Sequence, residues 1–185
     1  MCPVLVQCPQ PPALPASAAV QLFVERAAEV VDVLPAVVGV HTTIPEDRRS
    51  AQTLGAEREG HGIVIDDNGL VVTIGYLIIE AEAITVTTSD GESLPAKIIG
   101  YDYESGFGLV RTTFPPKIKP MRLGDSDVLA LRSEAYVAGV GGEKATLKVK
   151  VAGRREFAGY WEYLLDKAIF TVPALASFSI VLPAA

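Results

Sequence analysis

Few side chains of this sequence are spaced for chemistry. His41 and His61 stand apart from each other and from the two cysteines, Cys2 and Cys8. Zinc takes a compact set of nitrogen and sulfur ligands, so these residues supply no zinc site, and both histidines are expected to be structural or surface groups. The run Asp66-Asp67-Asn68-Gly69 looks like part of a calcium loop but lacks the later bidentate glutamate. It reads better as a hairpin turn, because Asn and Gly both tolerate positive φ. Gly139-Val140-Gly141-Gly142 could cradle a phosphate only with Lys-Ser/Thr following at P-loop spacing, which is missing. A turn after a strand is expected there. The densest aromatic cluster, Tyr160-Trp161-Glu162-Tyr163-Leu164, reads as core at a strand end rather than as an interaction patch.

The elements that position these residues are mostly short strands. Residues 20–34 carry Leu22, Ala27, Val30, Val31 and Leu34 near one face, with Glu25, Arg26 and Glu29 opposite, which predicts a helix closed by Pro35. A β-branched strand is expected over Val37–Ile44, and a charged surface loop over Pro45–Gly60. Strands then follow at 62–65, 70–73, 84–88, 94–101, 107–112, 135–140, 146–152 and 168–172, with a second hairpin turn at Ser89-Asp90-Gly91-Glu92. Many short strands with regular turn punctuation indicate an all-β barrel or sandwich. The sequence divides into a Pro-rich tail (1–19), the helix (20–35) and one domain (36–185).

Bulk properties narrow the function. Of the 185 residues 49% are hydrophobic and 21% charged, the balance of a folded globular chain. A formal net charge of −6 argues against a general nucleic-acid binder and against a polybasic membrane anchor. No apolar run is long enough to span a bilayer as a helix, so no transmembrane segment is expected. The first residues make a poor secretory signal: no basic residue precedes Arg26, and Pro9, Pro11, Pro12 and Pro15 interrupt any apolar helix. Leu5-Val6-Gln7-Cys8 is similar to a lipoprotein cleavage box, but Gln7 stands where a small residue belongs. A disordered tail or misplaced start is the expectation.

Three blocks carry a family resemblance. Gly60-His61-Gly62-Ile63-Val64-Ile65-Asp66-Asp67-Asn68-Gly69-Leu70-Val71-Val72-Thr73-Ile74-Gly75-Tyr76-Leu77 is similar to "G-S-G-hydrophobic-I-D-x-x-G-Y-I-L-T-N-N-H-V". Asp90-Gly91 through Ala96-Lys97-Ile98-Ile99-Gly100-Tyr101-Asp102 is similar to "D-G-x-x-x-x-A-K-V-V-G-Y-D", and Leu123-Gly124-Asp125-Ser126-Asp127 matches "L-G-D-S-D". In this order they resemble trypsin-like serine proteases of the HtrA/Deg type, over roughly residues 36–172. The resemblance implies a chymotrypsin-fold double β-barrel with the active site in the cleft between barrels, the second barrel being incomplete here. It implies no cofactor and points to the cell envelope or periplasm.

Acyl transfer in that family needs a serine, a histidine to take its proton, an aspartate to orient the histidine, and backbone N–H groups for the oxyanion. The resemblance puts the histidine at Tyr76 and the aspartate at Gly106, within Ser105-Gly106-Phe107-Gly108-Leu109-Val110. A phenol with a pKa near 10 is a poor base at neutral pH, and glycine orients nothing. Ser177 and Ser179 fall about where the nucleophile would be, but neither has the glycine frame of "G-N-S-G-G", the last glycine being Gly159. His61, in place of a small polar residue of the family block, is a weak candidate for a relocated base. The expectation is a catalytically inactive relative that binds a peptide or unfolded protein segment, or serves as a scaffold. The alternatives are an active endopeptidase with a non-standard site, or a truncated fragment or module completed by a partner chain or by homo-oligomers.

Overall fold

A computed structural model describes residues 30–159, 163–173 and 180–183. The first six strands close into a barrel: β1 (Val37–Thr43), β2 (Glu57–Val64), β3 (Leu70–Ile74), β4 (Ala83–Thr87), β5 (Ser93–Tyr101) and β6 (Phe107–Thr112). Their order around the barrel is β1-β2-β3-β6-β5-β4, antiparallel throughout. Closure removes every sheet edge from this unit. β7 (Glu134–Ala138), β8 (Thr146–Gly159), β9 (Tyr163–Val172) and β10 (Ile180–Pro183) form a four-stranded sheet in the order β10-β7-β8-β9. The described residues are therefore mostly β, as the expected fold requires.

The strands form where β-branched residues alternate with polar ones. In β1 (Val-Val-Gly-Val-His-Thr-Thr) Val38, Val40 and Thr42 are fully buried, while Gly39, His41 and Thr43 face outward. Both expected hairpin turns close the strands beside them. The Asp66 carboxylate accepts from the N–H of Asn68 (2.9 Å) and Leu70 (2.7 Å) and pairs with Arg111 at 3.3 Å, and Gly69 has φ 75°. These bonds hold the Asp66 carboxyl below its ordinary pKa, the Leu70 amide contributing most, and engage the oxygens that a calcium ion would need. In the second turn Gly91 has φ 90°, and the Thr88 hydroxyl accepts from the Glu92 N–H at 3.0 Å. A core of Leu34, Val37, Val40, Ile63, Val71, Leu77, Ile78, Val110 and Met121 fills the barrel region. A smaller cluster of Leu129, Ala135, Val137, Val149, Val151 and Ile169 serves the second sheet.

Three expectations need correction. The segment 45–60 is not simply a loop: it contains α1 (Arg49–Leu54) and the first half of β2. The strand escaped notice because its inward position is an arginine, Arg58, only 4% exposed between exposed Glu57 and Glu59. The described end of the expected helix, Val30–Asp32 and Leu34–Ala36, is two 3-10 turns, with Pro35 in the first turn of the second; residues 20–29 lie outside the described residues. β8 and β9 are also longer than expected, pairing beyond Val151 as a bulged ribbon. Its far end touches the barrel, where the Leu164 N–H donates to the Glu104 carbonyl at 3.0 Å.

Candidate functional site

Tyr76 and Gly106, the two positions the resemblance marks, lie 30 residues apart in sequence on segments joined by a hydrogen bond. β3 runs into a one-turn helix, α2 (Gly75–Ile78), which carries Tyr76. Ile74 pairs with Phe107 on β6, and the Gly75 N–H donates to the Gly106 carbonyl at 2.7 Å. Gly106 has φ 72°, a left-handed conformation that glycine takes without strain. Its turn is organised by Asp102, whose carboxylate accepts from the N–H of Glu104 and Ser105 and from the Ser105 hydroxyl. These bonds, the hydroxyl's above all, hold the Asp102 carboxyl below its ordinary pKa and keep it within its own turn.

Helix α2 is too short to stand by intrinsic propensity. Arg58 clamps it from β2. Its guanidinium donates to the carbonyls of Gly55 (3.1 Å), Tyr76 (2.5 Å) and Ile79 (3.3 Å), and to the Ser50 hydroxyl at 2.8 Å. Glu80 completes the cluster by accepting from the Ser50 N–H at 2.8 Å. Sequence reasoning missed Arg58 as a positioning residue; the only available signal was a charged residue out of phase with its acidic neighbours. On the other side Tyr101 lies over Gly75, where an added Cβ would come within 1.9 Å of its ring.

A cleft of about 390 Å³ opens next to α2, lined by Gly39, Val40, His41, Glu59, Gly60, His61, Tyr76, Thr87 and Val140. It therefore lies between the barrel's outer face and the turn that follows β7. That turn is the expected one, with Gly141 and Gly142 at φ 120° and 66°. The Tyr76 phenol is pushed above its ordinary pKa by burial, with the Arg58 charge acting in the opposite sense. At neutral pH it is protonated and can donate a hydrogen bond. His61 is half-buried, and burial pulls its pKa below the ordinary 6.5. Its Nδ1 is buried without a hydrogen-bond partner. His41 instead pairs with Glu57, Nε2 to Oε2 at 2.9 Å.

The structure thus brings Tyr76, Gly106, His41 and His61 into one region. Ser177 and Ser179 lie outside the described residues, as does the Tyr160–Glu162 part of the aromatic cluster. Of that cluster's remainder, Leu164 is exposed rather than core. Among the described residues no group of His, Cys, Asp and Glu is placed to hold a metal ion, and no helix is long and apolar enough to cross a membrane.

Comparison with known proteins agrees with this architecture. Residues 60–179, well over half the chain, match the trypsin-like peptidase domain. The periplasmic serine endoprotease DegP of Escherichia coli is 36% identical over 83 residues, covering 44% of this chain and 17% of DegP. The serine protease HTRA1A of Danio rerio is 30% identical over 115 residues, covering 62% of this chain and 23% of that protein. Two solved structures of the HtrA-type protease AlgW with tripeptide superpose with TM-scores of 0.66 and 0.60, at 17% and 19% identity. They cover 86% and 83% of this chain and about half of the AlgW chains, 51% and 52%. This chain therefore spans about half of those structures and under a quarter of these two curated relatives. The chain belongs to the trypsin-like peptidase family and is homologous to the DegP/HtrA proteases.

Proposed function

We propose that this chain is a non-proteolytic member of its family, a barrel that binds extended peptide or unfolded protein segments without hydrolysing them. One observation carries the reading: α2 and the Asp102–Gly106 turn, joined by the Gly75–Gly106 hydrogen bond, present a phenol and a glycine where the family resemblance requires imidazole and carboxylate. A general base must accept a proton near neutral pH, and a phenol whose pKa is raised by burial holds its own. An imidazole also needs an orienting acceptor, which neither Gly106 nor the internally bonded Asp102 supplies. The cleft remains open beside Tyr76, with an apolar wall at Val140 and donors at its edge. The AlgW structures with tripeptide support peptide as the ligand class.

The test pairs an activity with a binding measurement. Purified protein is incubated with unfolded casein and, separately, with a fluorophosphonate probe that labels activated serines. The expected result is intact casein, no label on Ser177 or Ser179, and saturable binding of a fluorescent unfolded peptide. Casein cleavage that persists after trace proteases are removed, or labelling of either serine, would refute the reading.

A further inference from the structure

The cleft beside Tyr76 owes its depth to one missing side chain. On the barrel's outer face Gly39 stands between Thr87 of β4 and His61 of β2, its register partners on either side. The next rung on that face is Thr85, His41 and Glu59. The Gly39 backbone is not left-handed, and an added Cβ would meet the Thr87 carbonyl oxygen at 3.6 Å and Val140 Cγ2 at 3.9 Å. Both are ordinary contacts. Glycine here leaves room rather than relieving strain.

His61 forms one side of that room. Its Nδ1 is the buried, unpartnered nitrogen, while its Nε2 edge is turned toward Gly139, 3.4 Å from where a Cβ on that residue would lie. A neutral imidazole carries one proton. On Nδ1 that proton would be a buried, unpaired donor; on Nε2 it leaves Nδ1 as a bare acceptor, the less costly of the two orphans. The second arrangement sets the N–H on the edge turned toward Gly139, the residue before Val140 of the cleft that His61 lines. Glu59, exposed at the same cleft, has no hydrogen bond or ion pair among the described residues, so a carboxylate entering there would meet like charge.

We propose that His61 is the recognition residue of this cleft: protonated at Nε2, it donates to a backbone carbonyl of an extended peptide free of acidic side chains, one side chain of which fills the space over Gly39. This deepens the peptide-binding reading above and rests on it. Peptide carbonyls are acceptors in need of a donor when desolvated, and a half-buried donor with no internal partner answers that need.

The experiment uses the full chain labelled with 15N-histidine, the two imidazoles being assigned by loss of a signal in His61→Gln. Free protein should show His61 as the Nε2-protonated form. Titration with a short peptide alternating valine and glutamine should move the His61 Nε2–H signal in step with binding. The same peptide with glutamate for glutamine should bind about two- to fivefold more weakly, and Glu59→Gln should narrow that gap. Gly39→Ala, whose methyl the local geometry accommodates, should weaken binding while leaving the circular dichroism unchanged. An Nδ1-protonated His61, a peptide that binds without moving His61, or undiminished binding to folded Gly39→Ala would each overturn the inference while leaving peptide binding itself intact. Failure of both peptides to bind, with the Nε2 form in place, would instead remove the peptide-binding reading and the inference with it.

Discussion

Replacing Arg58 by methionine would remove the clamp on α2 while keeping much of the buried side-chain volume. Four hydrogen bonds go with the guanidinium: those to the Gly55, Tyr76 and Ile79 carbonyls and to the Ser50 hydroxyl. A hydrogen bond to a charged group contributes about 1.5–3 kcal/mol, and an acceptor left buried and unpaired costs about 1–3 kcal/mol. The full sum is not reached. Ser50 and Gly55 lie near the surface, where water can replace the arginine, and the desolvation that opposes a buried guanidinium is relieved on substitution. The carbonyls of Tyr76 and Ile79, at the two ends of α2, carry most of the effect. We expect a loss of about 3 kcal/mol, or roughly 6–12 °C in Tm for a chain of this size. Urea unfolding at constant m-value measures it, and amide hydrogen exchange at Gly75–Ile79 should rise more than in β5. Arg58→Lys, which keeps the charge but not the planar fork, should fall between wild type and methionine. A loss under about 1 kcal/mol, or exchange that rises evenly over the barrel, would show that α2 does not depend on this clamp.

If the chain is non-proteolytic as proposed, placing histidine at Tyr76 and aspartate at Gly106 should not create proteolysis. Tyr76→His alone, and with Gly106→Asp, should leave casein uncut in a gel assay, because neither supplies a glycine-framed serine; the aspartate should also cost about 1–2 kcal/mol at φ 72°, seen as a lowered urea midpoint. Gly75→Ala would drive a methyl into the Tyr101 ring and should destabilise by about 1–3 kcal/mol in the same unfolding assay. Burial depresses the His61 pKa in the folded state, so the unfolded chain takes up the proton first as pH falls. Stability should therefore be complete above the unfolded pKa near 6.5 and decline as pH drops below it toward the folded value. Unfolding free energies measured between pH 8 and pH 5 should show this slope reduced in His61→Phe.

What was legible in the sequence was whatever depends on local backbone chemistry. Asp66-Asp67-Asn68-Gly69 announces its hairpin because the aspartate bonds forward to its own turn and glycine takes positive φ. The strand β6, Phe107–Thr112, is legible as one more short apolar run after the Ser105-Gly106 turn, and its buried residues, Gly108, Val110 and Thr112, alternate along it. The start of β2 was hidden for the converse reason. A buried arginine between two exposed glutamates has the hydropathy of a loop, and only the carbonyls of α2, distant in sequence, explain why it turns inward. The 3-10 turns at Val30–Ala36 show the same limit: apolar spacing gave a helical period, but Leu34 and Ala36 are buried by packing against the barrel core.

The candidate site divides along the same line. Tyr76 could be named from the first sequence block and Gly106 from the stretch Ser105-Gly106-Phe107-Gly108-Leu109-Val110, yet neither gives the distance between the two segments; the Gly75–Gly106 hydrogen bond does. Once that bond is known, the two departures act on one place. On the proposed reading a base at position 76 would need its orienting acceptor from position 106, so a change at one alone should gain nothing. His61 shows the opposite case. As a residue type in a strand it carried little meaning, because a half-buried histidine ordinarily finds a partner for each nitrogen. Its unpartnered Nδ1 lies beside Gly39 through the pairing of β1 with β2 and β4, which joins residues 39, 61 and 87 across three strands. On the reading proposed above, a barrel with a phenol at position 76 and a glycine at 106 would still hold a donor at His61 and a cleft on the adjoining face, which are the parts that binding needs and hydrolysis alone does not.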